Sequence, residues 1–243
     1  MRISELTQIT TRAPGIKQRQ QQQKSEPGAE TLGKGVFGTV YTKPRDVETA
    51  VKISTLNQGS WDADGYYNYI ERVKDLKADT HNPYLPQIYD VERVEVRGKK
   101  PYLVVEIERL YPTKSLSSEE AELVFQNIIG RPITKDDRAR IQTASGRHWR
   151  TGEPNPINWI WAARNVMQSI IKQGDWGIWN DYSVKNPELK AALDIVADLV
   201  KQGYVLDLHD ENYMVRRTPY GVQPVLTDPI SFKDPSKIKL KSV

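Results

Sequence analysis

Residues 205–232 read VLDLHDENYMVRRTPYGVQPVLTDPISF, and the fold prediction starts from this stretch. Its short apolar segments lie on either side of a turn at Thr218–Gly221, which predicts two short strand pairs. Polar residues stand between the strands. Asp207 comes five residues before Asn212, and Asp228 follows the last long apolar segment. The stretch therefore combines β structure with three oxygen-bearing side chains in the connecting loops.

A carboxylate five residues before an asparagine that opens a strand is the pattern of phosphotransferase catalytic loops. Asp207 has the chemistry to orient and deprotonate an acceptor hydroxyl, and the amide oxygen of Asn212 can bind a metal. Asp228 stands where a second metal-binding carboxylate belongs in such proteins. Each residue taken alone is equally explained as the cap of a turn. His209, within the loop, is expected to hydrogen-bond the backbone rather than to titrate in a reaction.

Residues 33–40, GKGVFGTV, fit the pattern G-x-G-x-x-G-x-V. A dinucleotide-binding loop would lead from a strand into a helix, whereas this one leads into a second strand. It is therefore predicted to be a β-hairpin. Glycines let backbone N–H groups approach a phosphate, although a plain hairpin without a ligand explains the pattern equally well.

A single lysine, Lys52, stands in the apolar strand that follows this hairpin. It is either an edge lysine whose charged end reaches water or a cation for nucleotide phosphates held by a carboxylate from the next helix. Glu71 is the expected carboxylate because it follows Ile70, a member of the apolar stripe that falls at helical spacing and is formed by Tyr66, Tyr69, Ile70, Val73 and Leu76. Asp64 and Asp75 are the alternatives.

The composition excludes several kinds of site. The chain has 243 residues and no Cys, which rules out disulfides, thiolate zinc sites and Cys nucleophiles and agrees with a reducing cytosol. The net charge of +4 comes from the ends, since residues 1–30 carry +2, residues 233–243 carry +3 and the remainder carries −1. Direct nucleic-acid binding is therefore not expected. No apolar run reaches membrane-spanning length, so no membrane contact is expected either.

The first half of the chain has two predicted regions. Residues 1–30 are Gln-rich and polar, and they are predicted to form a flexible arm. Residues 31–110 are predicted to be β-rich, with one helix over about 62–78 and two further strands at 85–96 and 101–110.

The second half is predicted to be mainly helical over residues 111–232, with a basic tail at 233–243. Helices are predicted at 117–129, 158–173 and 187–203. Residues 130–155 are predicted to be a polar connection, within which a helix is left open. Five of the six Trp, at 149, 159, 161, 176 and 179, lie in this half, and they are predicted to belong to its core.

With these motifs in order, the chain resembles a protein-kinase-like fold and is similar to the T7-type early serine/threonine protein kinases of bacteriophages. The residues that carry the resemblance are GKGVFGTVY, AVKI, LPQIYDVERV, LDLHDENYMV and VLTDPISF, within residues 31–232. The resemblance implies an α+β, bilobal fold with a β-rich first lobe and a shortened, mostly helical second lobe. It also implies a protein that phosphorylates host proteins, and plausibly itself, in the cytoplasm of an infected bacterium.

The resemblance further implies ATP and Mg²⁺ as cofactors and assigns the site. Lys52, Glu71 and Asp207 would be catalytic, and Asn212 and Asp228 would bind the metal. The ATP-binding residues would be Gly33, Lys34, Gly35, Phe37, Gly38, Val40, Ala50, Val105, Glu106 and Glu108, with Val105 as gatekeeper and Glu106–Glu108 as the hinge.

One departure from the kinase pattern bears on regulation. Leu206 stands where ordinary kinases have an arginine before the catalytic aspartate, so no activation-loop phosphate is expected to be recognised there.

The D-L-H-x-x-N pattern also resembles aminoglycoside and choline phosphotransferases, which would make the substrate a small molecule. A third alternative is a catalytically weak protein of this fold that binds and inhibits a host protein.

Overall fold

The computed structural model of the chain describes residues 8–9, 13–56, 59–76, 81–145, 155–173, 176–182, 184–234 and 236. They form an α+β fold with two compact units. The first unit is built from Met1–Asp75 and Gln87–Arg109, and the second from Leu76–Pro86 and Leu110–Val243. The predicted boundary after residue 110 thus lies next to the observed one. Residues 76–86, by contrast, belong with the second unit.

The helices of the described residues are α1 (Ile16–Ser25), α2 (Gly65–Asp75), α3 (Ser118–Ile129), α4 (Lys135–Ser145), α5 (Pro156–Lys172) and α6 (Pro187–Lys201). The strands are β1 (Gln8–Ile9), β2 (Thr31–Lys34), β3 (Gly38–Lys43), β4 (Asp46–Thr55), β5 (Ile88–Glu95), β6 (Tyr102–Glu108), β7 (Tyr111–Pro112), β8 (Tyr204–Leu206), β9 (Tyr213–Thr218), β10 (Gly221–Leu226) and β11 (Ile230–Lys233).

The first unit is organised around a six-stranded sheet in the order β1-β5-β6-β4-β3-β2. All neighbouring strands are antiparallel except β1, which pairs in parallel with β5. Alternation along β4 puts Val51 and Ile53 on one face of the sheet and Lys52 on the other. The face of Val51 and Ile53 belongs to a buried cluster completed by Tyr41, Val94, Val96, Tyr102 and Val104.

The prediction of a flexible N-terminal arm is wrong for residues 13–30, because α1 lies on this buried cluster. Ala13 and Ile16 pack against it, and the hydroxyl of Tyr102 donates to the carbonyl of Pro14 at 3.0 Å. Gln23 is buried on the same helix. The Gln-rich composition is misleading because Ala13 and Ile16 attach the helix to the sheet through apolar contacts. The rest of the helix surface is polar.

Helix α2 forms where the apolar stripe predicts it, and its Tyr66, Tyr69, Ile70 and Val73 are buried. Asp64 stands immediately before the helix, and its Oδ1 accepts a hydrogen bond from the N–H of Tyr67 at 2.7 Å. This is the role of a helix cap.

The second unit has a helical core built around α3, α5 and α6, which confirms the helices predicted at 117–129, 158–173 and 187–203. α3 begins with a capping box between Ser117 and Glu120 and ends at Gly130, whose φ of 67° suits glycine. α4 occupies Lys135–Ser145, inside the segment predicted to be a polar connection.

The tryptophans of this unit contribute to its core. Trp159 is fully buried and Trp179 is 6% exposed, and the rings of Trp161 and Trp179 meet edge to face with centroids 5.2 Å apart. The predicted core role is therefore confirmed for Trp159 and Trp179. Trp149 lies outside the described residues.

The predicted strand pairs of residues 204–233 are also present. β9 and β10 form an antiparallel hairpin, and β8 pairs with β11. β7 adds a third strand beside β9. In the part of the chain that the structure describes, no helix combines the length and apolar character needed to cross a membrane.

Candidate active site

The loop between β8 and β9 joins Asp207 and Asn212 directly. The side-chain Nδ2 of Asn212 donates to the backbone carbonyl of Asp207 at 2.5 Å. The same carbonyl accepts the N–H of His209 at 3.2 Å, and the carbonyl of His209 accepts the N–H of Asn212 at 2.9 Å. Two residues five positions apart are thus held in one compact turn.

Asp228 is tied to this loop through the backbone of Asn212. The carbonyl of Asn212 accepts the N–H groups of Thr227 and Asp228, each at 3.1 Å, and the N–H of Asp207 donates to the carbonyl of Pro229 at 2.8 Å. Pairing of β8 with β11 and of β9 with β10 brings the two segments side by side. The structure therefore brings together all three residues that the sequence singles out in this unit.

Asp207 and Asn212 differ in how far they are exposed. The side chain of Asp207 is 45% exposed, as a group that meets an acceptor hydroxyl must be. Asn212 is buried, and because its amide nitrogen is committed to Asp207, its Oδ1 is the end left to bind a cation. An amide oxygen and a carboxylate are hard oxygen ligands of the kind that Mg²⁺ prefers, so Asn212 and Asp228 fit this metal.

His209 hydrogen-bonds the loop backbone, as expected. Its Nδ1 accepts the N–H of Glu211 at 3.3 Å, so the other ring nitrogen, Nε2, is the one that can donate. That nitrogen lies 3.7 Å from Oδ1 of Asp207. The sequence places His209 in the loop, and the structure adds its proximity to the candidate base.

Tyr213 fixes the end of the loop. Its side chain is fully buried, and its hydroxyl donates to the carbonyl of Ile160 on α5 at 2.7 Å. Burial raises the pKa of this hydroxyl well above its ordinary value, so it stays a hydrogen-bond donor.

In the first unit, Lys52 lies on β4 between Val40 of β3 and Val105 of β6. Its Nζ is 3.4 Å from the centroid of the Tyr66 ring on α2. A cation over an aromatic face is stabilised by the ring quadrupole. The contact with Tyr66 is missing from the sequence prediction, which assigns this tyrosine to packing alone.

Glu71 lies on α2, as predicted, and the structure gives it a partner that the sequence does not show. Its Oε2 is 3.4 Å from Nη2 of Arg93 on β5, and the Arg93 guanidinium also lies 4.4 Å from the centroid of the Tyr67 ring. The pairing of Glu71 with Lys52 stays a prediction. The alternative partner Asp64 is the cap of α2.

The glycine-rich segment forms the predicted hairpin of β2 and β3, closed by a hydrogen bond from the N–H of Gly35 to the carbonyl of Gly38 at 2.8 Å. A Cβ on Gly38 would lie 2.7 Å from the carbonyl oxygen of Ile53, so the sheet itself requires this glycine. A Cβ on Gly33 would meet nothing within 4 Å, and one on Gly35 would only approach Gly38 at 3.9 Å. Packing does not explain these two glycines, whereas close approach of a ligand would.

The other loop residues differ in exposure. Lys34 is exposed, Phe37 is 45% exposed and Val40 is partly buried. The carbonyl of Phe37 accepts the N–H of Thr55 at 2.8 Å, which fastens the tip of the hairpin to β4.

The residues predicted around the hinge lie inside the sheet. Ala50 and Val105 are buried on β4 and β6. The carboxylate of Glu106 is 2.6 Å from Nζ of Lys43, and this hydrogen bond raises the lysine pKa. The carboxylate of Glu108 accepts the N–H of Gln87, and its own N–H donates to the Gln87 carbonyl. These polar groups of the two glutamates are committed within the sheet, so their contact with adenine stays a prediction.

A metal bound by several protein side chains has no support among the residues described. No group of three or more His, Asp or Glu side chains there could hold an ion. A site at Asn212 and Asp228 would be of another kind, in which two protein ligands would be completed by phosphate oxygens of a nucleotide.

Comparison with protein-family models found none that matches the chain, and comparison with curated proteins found no significant match.

Proposed function

We propose that this protein is an ATP- and Mg²⁺-dependent serine/threonine protein kinase with a kinase-like, bilobal fold. The observation that carries the proposal is the loop geometry, in which Asp207, Asn212 and Asp228 are joined through the side chain and carbonyl of Asn212. The α+β architecture and the order of the motifs along the chain agree with it.

Each unit has a separate task in this proposal. The backbone of Gly33–Gly38 and the ammonium of Lys52 contact the nucleotide phosphates, since both groups favour negative charge. Asp207 accepts the proton of the attacking hydroxyl. Asn212 and Asp228 hold Mg²⁺, which when bound neutralises charge on the phosphates. Most of the rate enhancement then comes from positioning and charge stabilisation.

The resemblance to phage early kinases supports the proposed setting. The substrates are host proteins in the cytoplasm of an infected bacterium, and the enzyme also phosphorylates itself. The nearly neutral body of the chain agrees with a protein substrate rather than a nucleic acid.

The direct experiment is to incubate the purified protein with γ-labelled ATP and Mg²⁺, alone and with a bacterial lysate, and to measure protein-bound label. Asp207→Asn is the control for contaminating kinases. Label on serine or threonine that is absent with the variant supports the proposal. If ATP binds but no label is transferred, a binding and inhibitory role replaces it, and absence of ATP binding rejects the nucleotide site altogether.

One observation favours a second candidate, a small-molecule phosphotransferase. His209 places its Nε2 3.7 Å from Asp207, in the D-L-H-x-x-N pattern shared with aminoglycoside and choline phosphotransferases. The same incubation with an aminoglycoside or choline as acceptor distinguishes the two candidates, because the label then appears on a small molecule instead of a protein.

A further inference from the structure

Helix α5 presents one stripe of groups to the candidate catalytic loop. Ile160, Arg164 and Gln168 are four residues apart, which puts them on the same face of a helix. The carbonyl of Ile160 accepts the hydroxyl of Tyr213 at 2.7 Å. Nη1 of Arg164 lies 3.2 Å from Oδ1 of Asp210.

The third contact comes from Gln168, whose Nε2 donates to the carbonyl of Leu208 at 2.8 Å. The partners on the loop therefore run in reverse order, 213, 210 and 208, as the helix positions rise. Eight residues of helix extend over about 12 Å, so the stripe follows the loop along most of its length. Leu208, next to Asp207, is also buried, which anchors this end.

The loop needs support from outside because Asp207 itself does little to hold the loop in place. Its side chain is 45% exposed, and Leu206 before it is apolar. The backbone of Asp207 is bonded to Pro229 and Asn212, but both belong to neighbouring loop segments. Contacts from α5 connect the loop to the core of the unit, together with the hydrogen bond that the hydroxyl of the buried Thr113 donates to the carbonyl of Asp210 at 2.9 Å.

We propose that α5 positions Asp207 for phosphoryl transfer, with Arg164 and Gln168 as positioning residues. This inference rests on the proposed function for its catalytic meaning. It also gives a second role to α5, the helix that contributes Trp159 to the core. A displacement of about 1 Å in a reacting group can cost on the order of a hundredfold in rate, so small movements of the loop matter.

The test uses Arg164→Met and Gln168→Met in the full chain, since methionine matches the length of glutamine and the aliphatic part of arginine but removes the polar group. Arg140→Met is the matched control, because Arg140 makes a 2.7 Å ion pair with Asp181 in the same unit and both side chains are exposed. Arg164→Lys is the conservative variant, as an ammonium can still meet a single carboxylate oxygen.

The first measurement is hydrogen exchange at the amides of residues 207–212, with β10 as the internal reference. Each methionine variant is expected to speed exchange in the loop about fivefold, the effect of one net hydrogen bond, while β10 and the Arg140 control stay unchanged. Unchanged exchange in the loop overturns the proposal. Faster exchange throughout the unit does so too, because the role of these side chains would then be merely structural.

The second measurement is steady-state kinetics. The methionine variants are expected to lower kcat about tenfold or more while KM for ATP stays within twofold, and Arg164→Lys is expected to restore most of kcat. Faster loop exchange with an unchanged kcat overturns the positioning role. If the wild-type protein transfers no phosphate at all, the proposed function fails, and the contacts of α5 then have no role in catalysis. In that case the hydrogen-exchange measurement alone decides whether α5 holds the loop.

Discussion

The amide nitrogen of Asn212 donates to the backbone carbonyl of Asp207 at 2.5 Å, so this side chain shapes the loop and keeps its amide oxygen as an acceptor. The backbone carbonyl of the same residue accepts the N–H of Asp228 at 3.1 Å. The bond to the Asp207 carbonyl needs the side-chain N–H of an amide, and an aspartate in the place of Asn212 would have no donor for it. This explains why the position between two carboxylates is an amide.

Replacing Asp207 with Asn is expected to lower phosphoryl transfer by on the order of a hundredfold or more, because a general base contributes that much in the transition state. ATP affinity and the unfolding midpoint should change little, since the side chain is half exposed. Initial rates and nucleotide binding measured on the same preparation check this. Asp194→Asn, at an exposed carboxylate paired with Lys190, is the control. A variant with wild-type turnover would remove Asp207 from the reaction.

Replacing Asp228 with Asn is expected to weaken Mg²⁺-dependent nucleotide binding about tenfold or more, because a hard anionic ligand is lost. Titration calorimetry with ATP, with and without Mg²⁺, measures the effect. Asp198→Asn changes an exposed carboxylate beside Lys201 and should bind like the wild type. Equal Mg·ATP affinity in Asp228→Asn and the wild type would contradict the metal role.

Alanine substitutions at the hairpin glycines are expected to affect the stability of the first unit and the binding of ATP separately. Gly38→Ala puts a methyl group 2.7 Å from the Ile53 carbonyl and is expected to destabilise the first unit by about 1–3 kcal/mol. Gly33→Ala and Gly35→Ala have room for the methyl group, so they should unfold like the wild type but bind ATP more weakly. Denaturant unfolding and ATP titration of all three variants test this. Normal ATP binding in both Gly33→Ala and Gly35→Ala would show that the loop is a plain hairpin.

Ile16→Ala is expected to lower the free energy of unfolding by about 1–2 kcal/mol, less than for a fully buried isoleucine, because Ile16 packs on the buried cluster of the sheet while remaining partly exposed. Lys17→Ala, at the exposed neighbouring position, should have little effect. Removal of residues 1–26 should destabilise the first unit more than either substitution. Thermal unfolding of the truncated protein at the wild-type midpoint would restore the interpretation of this segment as a loose arm.

Asp137 should make the second unit sensitive to acid. The Arg131 guanidinium binds its carboxylate, with further hydrogen bonds from Thr134 and Tyr182, and this holds the pKa of Asp137 well below its ordinary value. A lowered folded-state pKa stabilises the protein above the unfolded-state pKa, about 4, and this stabilisation disappears as the pH falls towards the folded-state value.

Asp137→Asn is therefore expected to cost about 2–3 kcal/mol at pH 7 and progressively less below pH ~4. Urea unfolding of the variant and the wild type at pH 7 and pH 3 measures the difference. Asp136→Asn, one residue earlier and exposed, is the control. A difference between Asp137→Asn and the wild type that stays constant with pH would show that the carboxylate charge is not the source of the stability.

Much of the second unit follows from local sequence patterns. The capping box at Ser117 and Glu120 and the apolar spacing of α3, α5 and α6 identify helices because they depend on residues only three or four positions apart. The N-terminal segment shows the opposite case. Its local composition is polar, and the contacts of Ala13 and Ile16 with the sheet are long-range, so the pattern misses them.

By itself the sequence determined which residues carry the candidate chemistry, namely Lys52, Asp207, Asn212 and Asp228, because their types and spacing are local properties of the chain. Only the tertiary structure decided what surrounds them. The ring of Tyr66 over Lys52, the pairing of Glu71 with Arg93 and the contacts of α5 with the loop join residues distant in sequence. Such contacts depend on which faces of helices and strands meet when the core is buried, and no periodicity along the chain encodes that choice.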